Sequence, residues 1–313
     1  MKTDNLQIII DELKKGKNFA IFLHISPDAD AIGSGLALSS MIEKFGGKGY
    51  IFCDDEEPDC TKFLLNDFCR NDSIIDKCDT LIYIDQSNLA RSGKYYSCIK
   101  DNTKKIIVID HHVSNDEEGY LIYRNPTVSS VAEIIYNMFT LSNTEIDTQT
   151  ALYLYSGIAT DTGCFIHPNT TSSCHAATAN LLSKGIDISK ANFELFIKRP
   201  ANYIQIQKYI FGHVQVFGDK LTLICIDKKS YKRLGEPDSY IAIDALSHYT
   251  TDILILVTEH EKDVVRINAR SRDYDVQKLC AKFGGGGHIH ASGANSPFSL
   301  KQTISKIKKE ILL

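Results

Sequence analysis

Four short, mostly apolar runs recur through the first third of the chain: Phe19 to Leu23, Gly49 to Cys53, Thr80 to Ile84 and Lys105 to Ile109. Runs this short and this continuous suit strands covered on both faces rather than buried helices. Residues 5–15 and Ala31 to Phe45 have helical pattern, the latter closed by Gly46-Gly47, and a short helix is expected near 59–67. Val131 to Phe139, Thr148 to Thr160 and Ser172 to Ser183 also read as helices. Alternation of buried strands with helices predicts a doubly wound, mostly parallel α/β sheet with helices on both faces. In such a sheet the ligand lies at the carboxyl ends of the strands, so the residues just past each run carry the functional information.

Those residues are carboxylates and imidazoles. His24, Asp28 and Asp30 follow the first run, Asp85 the third, and Asp110-His111-His112 the fourth; Asp161 stands in Gly157-Ile158-Ala159-Thr160-Asp161-Thr162-Gly163. Singly, each has an ordinary explanation: a turn, a helix cap or a satisfied histidine. Crowded together they are costly unless cations neutralise them. A single zinc is satisfied by three or four side chains. Six candidates, His24, Asp28, Asp30, Asp85, His111 and Asp161, suit two cations about 3.5–4 Å apart sharing one carboxylate. Carboxylate and imidazole donors without thiolate favour Mn²⁺, with Mg²⁺ or Co²⁺ as alternatives. The nine cysteines form no CxxC pair and read as reduced thiols.

Residues 187–212 have helical pattern broken at Arg199-Pro200 and are expected to connect two domains, 1–186 and 213–313. Beyond them Val214 to Phe217 and Leu221 to Asp227 read as paired strands, as do Ile253 to Thr258 and Val264 to Ala269. With helices near 238–248 and 300–311 they make a smaller α+β domain, expected to face the first across a cleft. Its oddity is Gly284-Gly285-Gly286-Gly287-His288. Glycines let backbone N–H groups approach an anion, and His288 and Arg270 could add charged hydrogen bonds to it. Ser129 and Ser130 precede a helix and are expected to cap it.

A net charge of −4 argues against tracking long nucleic acid, which needs a basic groove. No apolar run reaches the roughly 18 residues of a membrane helix. The first residues lack the features of a secretory signal, so a cytoplasmic location is the expectation.

With these residues in view the chain resembles the DHH phosphoesterase superfamily, through Asp110-His111-His112, the segment His24 to Ser34, the strand-end Asp85, and Gly157 to Phe165. The segments Arg266 to Ser271 and Phe283 to Gly293 resemble the DHHA1 domain. The resemblance implies that His24 and Asp28 hold one metal, that Asp30, His111 and Asp161 hold the other, and that Asp85 bridges them. It implies that His112 faces the scissile phosphate and that Asp110 orients an imidazole. It assigns substrate binding to Arg270, Ser271, Gly285, Gly286, Gly287 and His288. The length and two-domain pattern resemble the bacterial branch that degrades very short oligoribonucleotides and dephosphorylates 3′-phosphoadenosine 5′-phosphate (pAp). A phosphodiesterase acting on cyclic-di-AMP or pApA is the alternative, and a non-catalytic nucleotide sensor a second. The expected partners are short single-stranded oligonucleotides or nucleotides, not long duplexes or membranes; a homodimer is compatible with the pattern.

Overall fold

The computed structural model describes residues 2–64, 68–100, 104–112, 121–237, 239–244, 251–261 and 264–312. The chain divides into two compact units, Met1–Lys198 and Arg199–Leu313.

The first unit opens with helix α1 (Lys2–Lys15), β1 (Asn18–Phe22), α2 (Ala29–Lys44) and β2 (Lys48–Phe52). The 3₁₀ segments Asp59–Leu64 and Asp72–Lys77 lead to β3 (Thr80–Ile84); a third, Leu89–Tyr96, runs into α3 (Ser97–Lys100). Then follow β4 (Lys105–Asp110), β5 (Leu121–Arg124), α4 (Val131–Leu141), α5 (Thr148–Asp161), α6 (Ser172–Leu182) and α7 (Ile188–Asn192), with a π-helical turn at Phe193–Ile197. The five strands pair in parallel in the order β2-β1-β3-β4-β5. One face of the sheet packs Ile21, Ile82 and Ile109 under the helices; the other packs Phe22, Phe52, Tyr83 and Tyr95 into an aromatic cluster. Burial on both faces is why these strands read as continuous apolar runs. After β1 the chain winds outward to β2, then returns across to β3. The order therefore reverses between β1 and β3, the place where such sheets bind ligands.

Helix α2 ends at Phe45, and Gly46 adopts φ +85°, the left-handed conformation that closes a helix cheaply only in glycine. The expected short helix near 59–67 is the 3₁₀ segment Asp59–Leu64, with 65–67 outside the described residues. Strand β5 has no counterpart in the sequence reading: it has four residues, sits at the sheet edge and is only half-buried.

The second unit contains α8 (Tyr203–His213), β6 (Gln215–Phe217), β7 (Leu221–Ile226), α9 (Lys228–Arg233), α10 (Ser239–Asp244), β8 (Ile253–Glu261) and β9 (Val264–Ser271). It ends with α11 (Val276–Ala281), β10 (Gly286–His288), β11 (Ala291–Ser296) and α12 (Leu300–Leu312). Its six-stranded sheet runs β10-β11-β9-β8-β7-β6, mixed because β7 and β8 are parallel and the other pairs antiparallel. Both expected hairpins are present. The helix expected near 238–248 is described over Ser239–Asp244, with 238 and 245–250 outside the described residues.

Segment 187–212 is not a separate connector. Its first half, including buried Ala191 and Leu195, belongs to the first unit, whereas Ile206 and Ile210 of α8 join the core of the second. The break falls between Lys198 and Arg199, beside the Arg199-Pro200 pair. Proline restricts the residue before it to extended backbone.

Candidate metal centre

His24 stands two residues past β1, where Leu23 still donates to the Phe52 carbonyl. Its Nδ1 lies 2.9 Å from the carbonyl oxygen of Ile25. A proton on Nδ1 shared with that carbonyl leaves Nε2 free to bind a cation. Nε2 faces Asp28 Oδ1 at 3.9 Å and Asp85 Oδ2 at 3.6 Å. Asp28 is the N-cap of α2; its Oδ1 accepts from the amides of Asp30 and Ala31, both at 3.0 Å. This fixes one carboxylate and launches the helix that carries Asp30.

Asp30 is fully buried. Its Oδ2 accepts from the Val131 amide at 2.7 Å, and its Oδ1 from the Ala132 amide at 2.9 Å and Ser34 Oγ at 3.1 Å. The N-terminus of α4 thus stabilises this anion. Ser130 caps that helix through its Oγ, as expected, whereas Ser129 does not cap it but donates from both N and Oγ to the Glu133 carboxylate.

Asp85 immediately follows β3 with φ +55°, a left-handed conformation costly for a residue with a side chain. Its amide donates to the Ile109 carbonyl, and the turn aims its carboxylate between His24 and the histidines that follow β4. The side chain is 3% exposed, and Oδ1 has no hydrogen-bond partner. His111 Nε2 lies 3.5 Å from that oxygen and 3.2 Å from Asp161 Oδ2, at the end of α5. Two ligand groups result, His24 with Asp28 and Asp85, and Asp30 with His111 and Asp161; a third joins Asp85 to His111 and His112. An orphaned carboxylate oxygen between two nitrogen- and oxygen-rich groups fits a cation better than it fits a finished protein core.

The electrostatics agree. Burial, followed by the charges of Asp85 and Asp28, pushes the Asp30 pKa well above the carboxylate range; burial, Asp30 and Asp85 do the same to Asp161. For Asp85 burial opposes ionisation, but the bond from His24 and the charges of the three histidines hold its pKa below the ordinary range. Burial disfavours charge on His24 too, yet Asp85 and Asp28 raise its pKa to about 9. Without a cation, the pocket cannot ionise every carboxylate and keep its histidines neutral.

Asp110 is not among these ligand groups. It is fully buried at the end of β4, and its Oδ1 lies 2.8 Å from His112 Nδ1. Burial lowers the His112 pKa, but the Asp110 bond and the Asp85 charge outweigh it and leave the value raised.

In the second unit, Arg270 and Ser271 end β9, and His288 ends β10. Directly opposed residues of antiparallel strands share a face. Register therefore places Arg270, Ala291 and His288 in one lane and Asn268, Gly293 and Gly286 in the next. The glycine run is not an open loop. A Cβ on Gly285 would lie 2.1 Å from the Gly293 carbonyl oxygen, and one on Gly287, at φ +137°, 2.7 Å from that of Ala291. Close strand packing requires those two glycines; Gly286 has nothing within 4 Å.

Two residues escaped the sequence reading. Asn268 is buried, with no partner for its Nδ2. Arg91 places Nη2 3.2 Å from His24 Nδ1. A basic residue six positions past Asp85 was the available signal, but its segment has neither helical nor strand periodicity.

Comparison with known proteins gives concordant findings. The model of the DHH family, N-terminal domain, matches residues 18–158, and that of the DHHA1 domain residues 236–312. The probable bifunctional oligoribonuclease and PAP phosphatase NrnA of Streptococcus mutans is 28% identical, covering 92% of each chain. The bifunctional oligoribonuclease and PAP phosphatase NrnA of Bacillus subtilis is 27% identical, covering 87% of each. The crystal structure of an exopolyphosphatase-related protein from Bacteroides fragilis shares the fold, with TM-score 0.90 at 21% identity, over 98% of this chain and 95% of that one.

Proposed function

The chain belongs to the DHH/DHHA1 phosphoesterase family, and from that premise we propose that it hydrolyses very short oligoribonucleotides and pAp with two divalent cations. It is a hydrolase acting on phosphoester bonds. The observation that carries the two-cation reading is Asp85: a strained, buried carboxylate, 3.6 Å from His24 on one side and 3.5 Å from His111 on the other. His24 and Asp28 would hold one cation, Asp30, His111 and Asp161 the other, with Asp85 shared. The donor set favours Mn²⁺. Bound cations supply Lewis acidity and lower the pKa of a water. In hydrolysis the water oxygen joins phosphorus, the ester P–O bond breaks, and a proton must reach the leaving oxygen. His112 suits that role: Asp110 holds its Nδ1, leaving Nε2 to donate, and the Asp110 bond and the Asp85 charge raise its pKa, favouring the protonated ring. Arg270, Ser271, Gly285, Gly286, Gly287 and His288 would bind the substrate, with Arg270 and His288 sharing a sheet face suited to an anion.

The test is hydrolysis by the purified protein with Mn²⁺, comparing pAp, a five-nucleotide RNA, pApA, cyclic-di-AMP and a long single strand. Turnover of pAp and the short RNA, with little on the long strand, is expected. Strong preference for pApA or the cyclic dinucleotide would move the protein to signalling turnover.

A further inference from the structure

We propose that Arg91 is a substrate-phosphate ligand. Its backbone is built into the site. The Ile25 amide donates to the Arg91 carbonyl at 2.7 Å, and the Arg91 amide donates to the Asn88 carbonyl at 3.0 Å. The next residue, Ser92, is fully buried and donates to Gln86 Oε1 at 2.7 Å, while Gln86 Nε2 donates to the Phe22 carbonyl of β1. The loop that carries Arg91 is thus pinned to the same strand end that carries His24. The arginine itself is exposed, so its tip can meet a ligand.

Arg91 sits within Coulombic reach of His24 and His112 and yet forms no ion pair among the described residues. Its side-chain contacts are His24 Nδ1 at 3.2 Å and the Ile25 carbonyl at 3.5 Å. The first contact is incompatible with metal binding. Arginine can only donate, so it needs a lone pair on Nδ1. A cation on Nε2 needs the lone pair there, which puts the proton on Nδ1, where the Ile25 carbonyl at 2.9 Å accepts it. Nδ1 cannot serve both partners. With a proton on Nδ1, as in the protonated ring and in the metal-bound tautomer alike, the arginine has no acceptor on His24 and keeps only the long contact to the Ile25 carbonyl, so most of its fork of donors is available beside His24. A phosphate oxygen matches that fork in charge and geometry.

This inference rests on the phosphoesterase reading but is tested apart from turnover. Inorganic phosphate is titrated calorimetrically into the Mn²⁺-loaded full-length protein and into Arg91→Ala and Arg91→Lys, with Mn²⁺ affinity measured separately for each. Phosphate affinity should fall about 10- to 100-fold in Arg91→Ala and less in Arg91→Lys. Mn²⁺ affinity should be unchanged or slightly higher, because the competing donor at Nδ1 is gone. A fall in Mn²⁺ affinity with phosphate binding intact at saturating metal would make Arg91 a positioning residue for His24 and overturn the proposal. Unchanged phosphate affinity in both variants would also overturn it. Failure of the wild-type protein to hydrolyse any nucleotide would count against the proposed function while leaving the phosphate comparison readable.

Discussion

Gly157→Ala tests how the centre is built without replacing a ligand. Gly157 lies inside α5 where that helix crosses α2 and α4. A Cβ there would stand 2.6 Å from Asp30 Oδ1, 2.7 Å from the Ala132 Cβ and 3.1 Å from the Asp30 Cα. None of these neighbours moves freely: Asp30 is held by Val131, Ala132 and Ser34, and Ala132 lies in the first turn of α4. Overpacking a tight core costs about 1–3 kcal/mol. Alanine returns about 1 kcal/mol in helix propensity. The net destabilisation is therefore up to about 2 kcal/mol, or a melting temperature lower by roughly 4–8 °C for a unit of this size. Displacement of the Asp30 carboxylate should weaken Mn²⁺ binding about 10- to 100-fold. Calorimetry of the metal-free protein and a Mn²⁺ titration read the two effects. Gly212→Ala, at a helical site with nothing within 4 Å, is the control and should be neutral or stabilising. Wild-type melting and wild-type metal affinity in Gly157→Ala would refute the claim that α5 holds Asp30 in place.

Asp110→Asn should leave metal content intact, lower kcat about 10- to 100-fold, and move the alkaline limb of the kcat–pH profile to lower pH, because the carboxylate charge that helps raise the His112 pKa is lost; an unshifted limb would exclude His112 as the proton donor. Mn²⁺ at 100 times its dissociation constant should stabilise the protein by about 2.7 kcal/mol and raise melting by roughly 5–10 °C for each site filled, an effect a chelator reverses; a scan insensitive to chelator contradicts metal loading. The pKa of His24 is raised from 6.5 to about 9, so metal must displace its proton throughout that window. Mn²⁺ affinity should therefore rise with pH by about tenfold per unit up to about 9, as isothermal titration at several pH values would show. In the metal-free protein the stability due to His24 is complete below about 6.5 and is lost as pH rises through about 9.

Much of the centre was legible because its residues sit where strand ends must be. His24, Asp85 and Asp110 follow runs whose two-sided burial left them continuously apolar, and sheet topology brings such ends together. What the sequence withheld were features made by long-range geometry. The left-handed turn at Asp85 has no local signature, since aspartate is not the residue such a turn favours most. Arg91 reaches the site through a backbone bond to Ile25, some way off in sequence. The glycine run reads as a cradle for anions, yet Gly285 and Gly287 are demanded by the carbonyls of Gly293 and Ala291 on a neighbouring strand. The connector was misplaced because helical pattern does not say which core a helix joins.

The central claim is that Asp85 joins two ligand groups into a two-cation centre. Mn²⁺ bound per chain, measured by equilibrium dialysis with elemental analysis on the wild-type protein and on Asp85→Asn, tests it most directly. The account predicts two ions in the wild type, and in the variant the loss of at least one with the remainder weakened. Two tightly held ions in Asp85→Asn, or a single ion in the wild type at saturation, would contradict it.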